Sequence, residues 1–182
     1  NNIVAAATAV YRKAKNGEAL LKELSEKYGI KTKILNGESE ALLTSMAVEE
    51  AMKKCELSTD SFMLVDIGGG STEIIFKKGD KITLESFEVG IVSVAQKYPT
   101  TELLQHGVKK ECAELKEFIK DTMYAFLKPQ LFCATAGTPT TIAAIQAGMT
   151  YENYDSEKIN GAIVTMDDID KTFTKLLKIS ID

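Results

Sequence analysis

Tryptophan is absent from this 182-residue chain, histidine occurs once, and the three cysteines (Cys55, Cys112 and Cys133) are odd in number and far apart. Such spacing offers neither a disulfide framework nor a set of metal-ligating thiols, and it predicts a reduced, cytoplasmic setting. His106 stands in a polar connector without a visible partner and is expected at the surface. No apolar run is long enough to cross a bilayer, and no signal-peptide pattern is present. A net charge of −4 argues against non-specific DNA binding, which calls for a basic stripe. A polyanionic ligand would have to meet local cations or bound metal. Low-complexity segments and repeats of solenoid period are absent as well.

What is present suits a folded α/β protein. With 45% hydrophobic residues the chain can bury one sizeable core or two small lobes. It opens without methionine on a stretch, Ile3 to Ala7, that reads as a buried strand already inside a fold, so a longer parent protein is expected. Apolar spacing predicts a helix from Val10 to Tyr28, interrupted at Asn16-Gly17 and ended by Gly29, then a half-buried strand over Ile30 to Leu35. Glu38 to Cys55 returns to helical spacing. The polar joint Ser58-Thr59-Asp60-Ser61 is the expected boundary between residues 1–57, the end of one lobe with its linking helix, and residues 58–182, a second lobe.

Beyond the joint, Phe62 to Val65, Thr72 to Lys77 and Lys81 to Glu88 read as three strands, with Lys78-Gly79-Asp80 as the second turn. A short helix from Gly90 to Tyr98 is followed by a connector and a long amphipathic helix from Val108 to about Leu127. Its stripe of Cys112, Leu115, Phe118, Ile119, Met123 and Phe126 is read as core packing. Leu131 to Ala134 reads as a strand, 139–147 as a helix with Pro139 in its first turn, Ile163-Val164 as a short strand, and Asp167 to Ile179 as a helix.

The most informative segment is Phe62-Met63-Leu64-Val65-Asp66-Ile67-Gly68-Gly69-Gly70-Ser71-Thr72-Glu73. A strand runs into an aspartate, three glycines turn the chain, and a second strand follows. Successive amides in such a turn can cradle an anion, while the missing Cβ atoms let a ligand approach and free the backbone angles. Asp66, at the strand end, suits a hard divalent cation held through oxygen and water. The segment is neither a Walker A loop nor a dinucleotide fingerprint, since no Gly-Lys-Ser/Thr follows and no helix opens there. Ala134-Thr135-Ala136-Gly137-Thr138-Pro139 forms a second glycine turn, from strand into helix, with either a capping role for Thr138 or an anion contact.

These turns together resemble the actin and sugar-kinase superfamily and, within it, the exopolyphosphatase/guanosine pentaphosphate phosphohydrolase (Ppx/GppA) family. Three further blocks carry the resemblance: Ala7-Thr8-x-x-x-Arg12-x-Ala14-x-Asn16, Asn36-Gly37-Glu38-Ser39-Glu40-Ala41, and Glu88-Val89-Gly90-Ile91-Val92-Ser93. The resemblance implies a ribonuclease H-like lobe with a mixed five-stranded sheet flanked by helices, preceded by a remnant of another lobe. It implies Glu40 as general base for water and Arg12 as a phosphate grip. Gly68, Gly69, Gly70, Ser71, Gly137 and Thr138 become phosphate-binding residues, and Asp66 and Glu73 hold Mg²⁺ or Mn²⁺. The substrates would be polyphosphate or guanosine pentaphosphate, with homodimerisation left open. Leu42 stands where the family carries arginine, and Ser39-Glu40 where it has two acids. Two rivals are retained: an ATP-dependent phosphotransferase of the same superfamily, and a non-catalytic module that binds polyphosphate or nucleotide.

Overall fold

The computed structural model describes residues 3–126 and 128–178. Two strands, β1 (Ala5–Ala7) and β2 (Thr32–Ile34), pair in parallel, and the helices α1 (Ala9–Lys13) and α2 (Gly17–Tyr28) lie between them in sequence. The interruption expected at Asn16-Gly17 is a complete break. A Cβ on Gly17 would collide with the Tyr11 carbonyl, so α2 starts hard against the end of α1.

Helix α3 (Gly37–Lys54) then leads to a four-stranded sheet with the order β5-β4-β3-β6. Its strands are β3 (Ser61–Ile67), β4 (Thr72–Lys78), β5 (Lys81–Phe87) and β6 (Leu131–Thr135). The β3–β4 and β4–β5 pairs are antiparallel and β3–β6 is parallel, so the sheet is mixed as expected. Among the described residues it has four strands and not five. Ile163-Val164 forms no strand: the pair is confined between Gly161, at φ +75°, and Thr165, which caps the next helix, and Ile163 is 90% exposed.

Both faces of the sheet are covered, which explains why β3 is almost continuously apolar. Phe62, Leu64 and Ile75 face α3, packing with Ala41 and Met52. Met63, Ile74, Phe76 and Phe87 face α6 (Ala113–Phe126), meeting Leu115, Phe118, Ile119 and Met123. Leu115, Phe118, Ile119 and Met123 of the predicted stripe are thus core, and the side chain of Phe126 lies outside the described residues. Phe62, Leu64, Ile74, Ile75 and Phe76 are essentially inaccessible, and each such side chain stabilises the fold by about 1.5–3 kcal/mol.

The long helix expected from Val108 is divided at Cys112. Helix α5 (Thr101–Glu111) already begins where a connector was expected, because the Thr100 hydroxyl accepts from the Leu103 amide at 3.3 Å and caps it. His106 is therefore helical, and it is exposed. Helices α4 (Ile91–Lys97), α7 (Gly137–Gln146), α8 (Ser156–Ile159) and α9 (Met166–Leu176) complete the chain, and the expected end points Leu127 and Ile179 lie outside the described residues. Among the described residues no helix is long and apolar enough to cross a membrane.

One close approach sets the shape of the glycine turn. The carbonyls of Gly68 and Gly69 accept from the amides of Ile91 (3.1 Å), Val92 (2.9 Å) and Ser93 (3.2 Å) at the start of α4. A Cβ on Gly90 would overlap the Gly69 carbonyl and the Gly70 nitrogen, which are backbone and cannot swing away. Gly90→Ala is therefore expected to lower stability by about 1–3 kcal/mol in urea unfolding. Gly137→Ala, whose methyl would meet nothing within 4 Å, should change it by less than about 0.5 kcal/mol.

Candidate active site

Strand register assembles a polar row across the sheet. Asp66 pairs with Glu73 on β4 and with Thr135 on β6, and Glu73 pairs with Ser86 on β5. Because side chains alternate along a strand, this row faces α3, the same side as Leu64, Ile75, Cys133 and Leu84 in the apolar row next to it. Helix α3 matches both rows. Ala41, Val48 and Met52 pack on the apolar one. Thr44 meets the polar one, donating its hydroxyl to Asp66 Oδ2 at 3.0 Å. Ser86 donates to Glu73 Oε1 at 2.6 Å. Helix α3 comes this close to β5 because Gly37 has no side chain, since a Cβ there would overlap Ser86. Asn36 caps the helix through its side-chain oxygen, which accepts from the Ser39 amide at 2.8 Å, leaving Glu40 in the first turn.

Glu40 is held by Arg12. The same guanidinium nitrogen, Nη1, donates to Glu40 Oε2 and to the Leu35 carbonyl, each at 2.7 Å. A guanidinium carries five donor hydrogens, so Arg12 keeps donors on its other nitrogens for an anion. Glu40 in turn lies near enough to Asp66 and Glu73 for its charge to raise the pKa of both.

The glycine turn closes the third side. Gly68 donates its amide to the Ser71 carbonyl at 3.0 Å. Among the described residues, the amides of Gly69, Gly70 and Ser71 donate to no protein group. Gly69 is exposed and Gly70 half-buried, whereas Ser71 is 4% exposed, with its hydroxyl turned to Glu73. The open part of the cradle is thus Gly69 and Gly70. The glycines serve it differently from the expectation, since none of the three has positive φ. They provide room: methyls at Gly68, Gly69 and Gly70 would stand 3.0 Å from the Ser71 carbonyl, 3.4 Å from Val92 and 3.1 Å from Ala9.

The second turn leaves the sheet beside this hollow, from β6, which neighbours β3. Gly137 is exposed and Thr138 half-buried in the first turn of α7, and Thr138 does not cap it. Ala136 occupies the cap position at φ 71°, ψ −170°, a region natural to glycine alone. Thr140 ties this turn down, donating its hydroxyl to the Ala136 carbonyl at 2.8 Å.

Of the expected residues the structure brings together Arg12, Glu40, Asp66 and Glu73 next to the Gly69–Gly70 turn. The Gly68 amide and the Ser71 hydroxyl are used within the protein, and Gly137 and Thr138 stand where the neighbouring strand exits, without a hydrogen bond to the rest among the described residues. Motif reading missed Thr44, Ser86 and Lys13, whose ammonium donates to the Gly70 carbonyl. The donor set suits a hard divalent cation. Two carboxylates stand side by side on paired strands, each pushed above its ordinary pKa first by burial and further by neighbouring negative charge. A divalent cation would relieve that repulsion. No cluster of three His, Cys, Asp or Glu side chains able to cage a metal occurs among the described residues. Water and a phosphate oxygen would complete the shell, as is usual for Mg²⁺.

The decisive comparison follows from this geometry. A model of the Ppx/GppA phosphatase family matches residues 1–181. The chain belongs to that family. The bifunctional 3-dehydroquinate synthase/phosphatase of Fusobacterium nucleatum is 27% identical over 184 residues, covering 97% of this chain and 27% of that protein. The guanosine-5′-triphosphate,3′-diphosphate pyrophosphatase of Pseudoalteromonas translucida is 26% identical over 155 residues, covering 85% and 30%. Among solved structures, the Aquifex aeolicus PPX-GPPA enzyme superposes with a TM-score of 0.73 at 29% identity, covering 96% of this chain and 56% of that one. The chain thus spans about a third or less of these curated relatives and little more than half of the solved neighbour.

The raised carboxylates give a signed expectation for this Ppx/GppA chain. Asp66 and Glu73 bind protons more tightly folded than unfolded, so between their ordinary values of 3.8 and 4.5 and the higher folded values, stability falls as pH rises. Urea unfolding from pH 4 to 8 should show that slope, and Asp66→Asn should flatten it. A slope unchanged in the variant would mean that Asp66 is not strained by its neighbours.

Proposed function

We propose that the complete protein hydrolyses phosphoanhydride bonds, releasing terminal phosphate from inorganic polyphosphate or from guanosine pentaphosphate with Mg²⁺ or Mn²⁺. One observation carries this reading: Arg12 holds Glu40, whose charge reaches both Asp66 and Glu73, on the two strands that the glycine turn joins. Phosphoryl transfer to water asks for positioning and charge neutralisation more than for covalent chemistry.

In this reading the amides of Gly69 and Gly70 donate to the phosphoryl oxygens, joined by Gly137 and Thr138 from the adjoining turn. Asp66 and Glu73, the latter fixed by Ser86, would hold the cation. That cation supplies charge neutralisation on the phosphate oxygens. Glu40 takes a proton from the attacking water. Arg12 does two things at once, holding Glu40 through Nη1 and offering its remaining N–H groups to phosphate. Two relatives, a bifunctional 3-dehydroquinate synthase/phosphatase and a guanosine-5′-triphosphate,3′-diphosphate pyrophosphatase, support the reaction class.

Phosphate release from tripolyphosphate by the full-length protein and by Glu40→Gln tests the reading. A base contributes about 10²–10⁴-fold, and the variant should lose at least a hundredfold. Equal rates would remove Glu40 from the reaction. Turnover only with an added acceptor would indicate a phosphotransferase, and tight binding without turnover a regulatory module.

A further inference from the structure

Lys13 is named by none of the motifs: it falls at an open position of the block that contains Arg12 and Ala14. The fold nevertheless delivers it to the hollow. A methyl added to Gly70 would stand 3.1 Å from the Ala9 Cβ, so α1 approaches the turn closely at Ala9. Lys13 lies one helical turn further along α1, four residues on, and therefore on the same helix face. Its ammonium donates to the Gly70 carbonyl at 3.1 Å and stands 3.6 Å from Glu88 Oε2. Arg12, one residue earlier and so about 100° around the helix, reaches Glu40 instead. The end of α1 thus sets one cation on the base and another on the glycine turn.

Lys13 is lightly held. Its side chain is 40% exposed and that of Glu88 is 83% exposed, and an ion pair so open to water stabilises by about 0–1 kcal/mol. A lysine ammonium has three donor hydrogens on a flexible stem, and the Gly70 carbonyl takes one. The local charge also asks for it. Glu40, Asp66 and Glu73 bring three carboxylates to the hollow, while Arg12 brings a single guanidinium already paired with Glu40. A triphosphate approaching that set meets repulsion unless a further cation stands at the entrance.

We propose that Lys13 is a substrate-binding residue: its ammonium takes a non-bridging oxygen of the polyphosphate chain seated on the Gly69–Gly70 amides, giving up Glu88 as it does so. The inference rests on the hydrolase reading above and adds to it a specificity-determining cation that recognises the triphosphate end, whether inorganic or carried by a nucleoside.

Calorimetric binding of inorganic tripolyphosphate and of guanosine triphosphate to the full-length protein tests it, comparing wild type, Lys13→Gln and Lys13→Arg over a salt series. Losing one charge-assisted hydrogen bond of about 1.5–3 kcal/mol corresponds to at least about a tenfold weaker Kd. Lys13→Gln should show that weakening and a shallower salt dependence. In phosphate release it should raise KM and leave kcat unchanged, and Lys13→Arg should stay near wild type. Loss for one ligand alone would assign Lys13 to that source of triphosphate. Wild-type affinity in Lys13→Gln, or a loss that Lys13→Arg does not rescue, would overturn the proposal. Failure of the wild type to bind either ligand would instead overturn the site on which it rests.

Discussion

Everything at the hollow depends on how α3 crosses the end of the mixed sheet. Along α3, Gly37 and Thr44 meet the polar row at Ser86 and Asp66, while Ala41, Val48 and Met52 pack on the apolar row next to it. The apolar contacts supply the binding energy of the crossing, and they set Glu40 and Thr44 over carboxylates that would otherwise repel. Burial of Glu73 at 1% exposure is tolerable because Ser86 donates to it and the apolar row anchors the strands around it. The strain concentrated here, two carboxylates of raised pKa and Ala136 in a glycine-only conformation, is what a site prepared for a cation and a phosphate should show.

Close backbone approaches do the remaining positioning. Gly37 lets α3 reach Ser86, Gly70 lets α1 reach the turn, and Gly90 lets α4 clamp the carbonyls of Gly68 and Gly69. Three helices, α1, α3 and α4, are thereby held close to the β3–β4–β5 segment. Among the described residues, the amides of Gly69 and Gly70 donate to no protein group.

Much of this was readable from residue order. The strands around Asp66, the covering stripe on α6 and the family resemblance all rest on local patterns: an apolar run, helical spacing and glycine turns. Ser86 was also within reach, because the Gly79-Asp80 turn pairs Lys78 with Lys81 and counting back sets Glu73 opposite Ser86. Thr44 and Lys13 were not, since their roles arise from how helices cross a sheet and a turn. The glycines of the turn are expected to give both room and backbone freedom; none has positive φ, and the room they give is for Ser71, Val92 and Ala9. The fifth strand failed because Ile163 and Val164, hydrophobic enough for a strand, are too few between a glycine turn and a capped helix.

The central claim is that the Gly69 and Gly70 amides are a phosphate cradle. The most direct measurement is a ¹⁵N–¹H spectrum of the full-length protein titrated with inorganic tripolyphosphate. Those two amide resonances should move downfield and saturate together with Glu40 and Arg12 signals. Saturable shifts confined to other regions, with Gly69 and Gly70 unmoved, would contradict it.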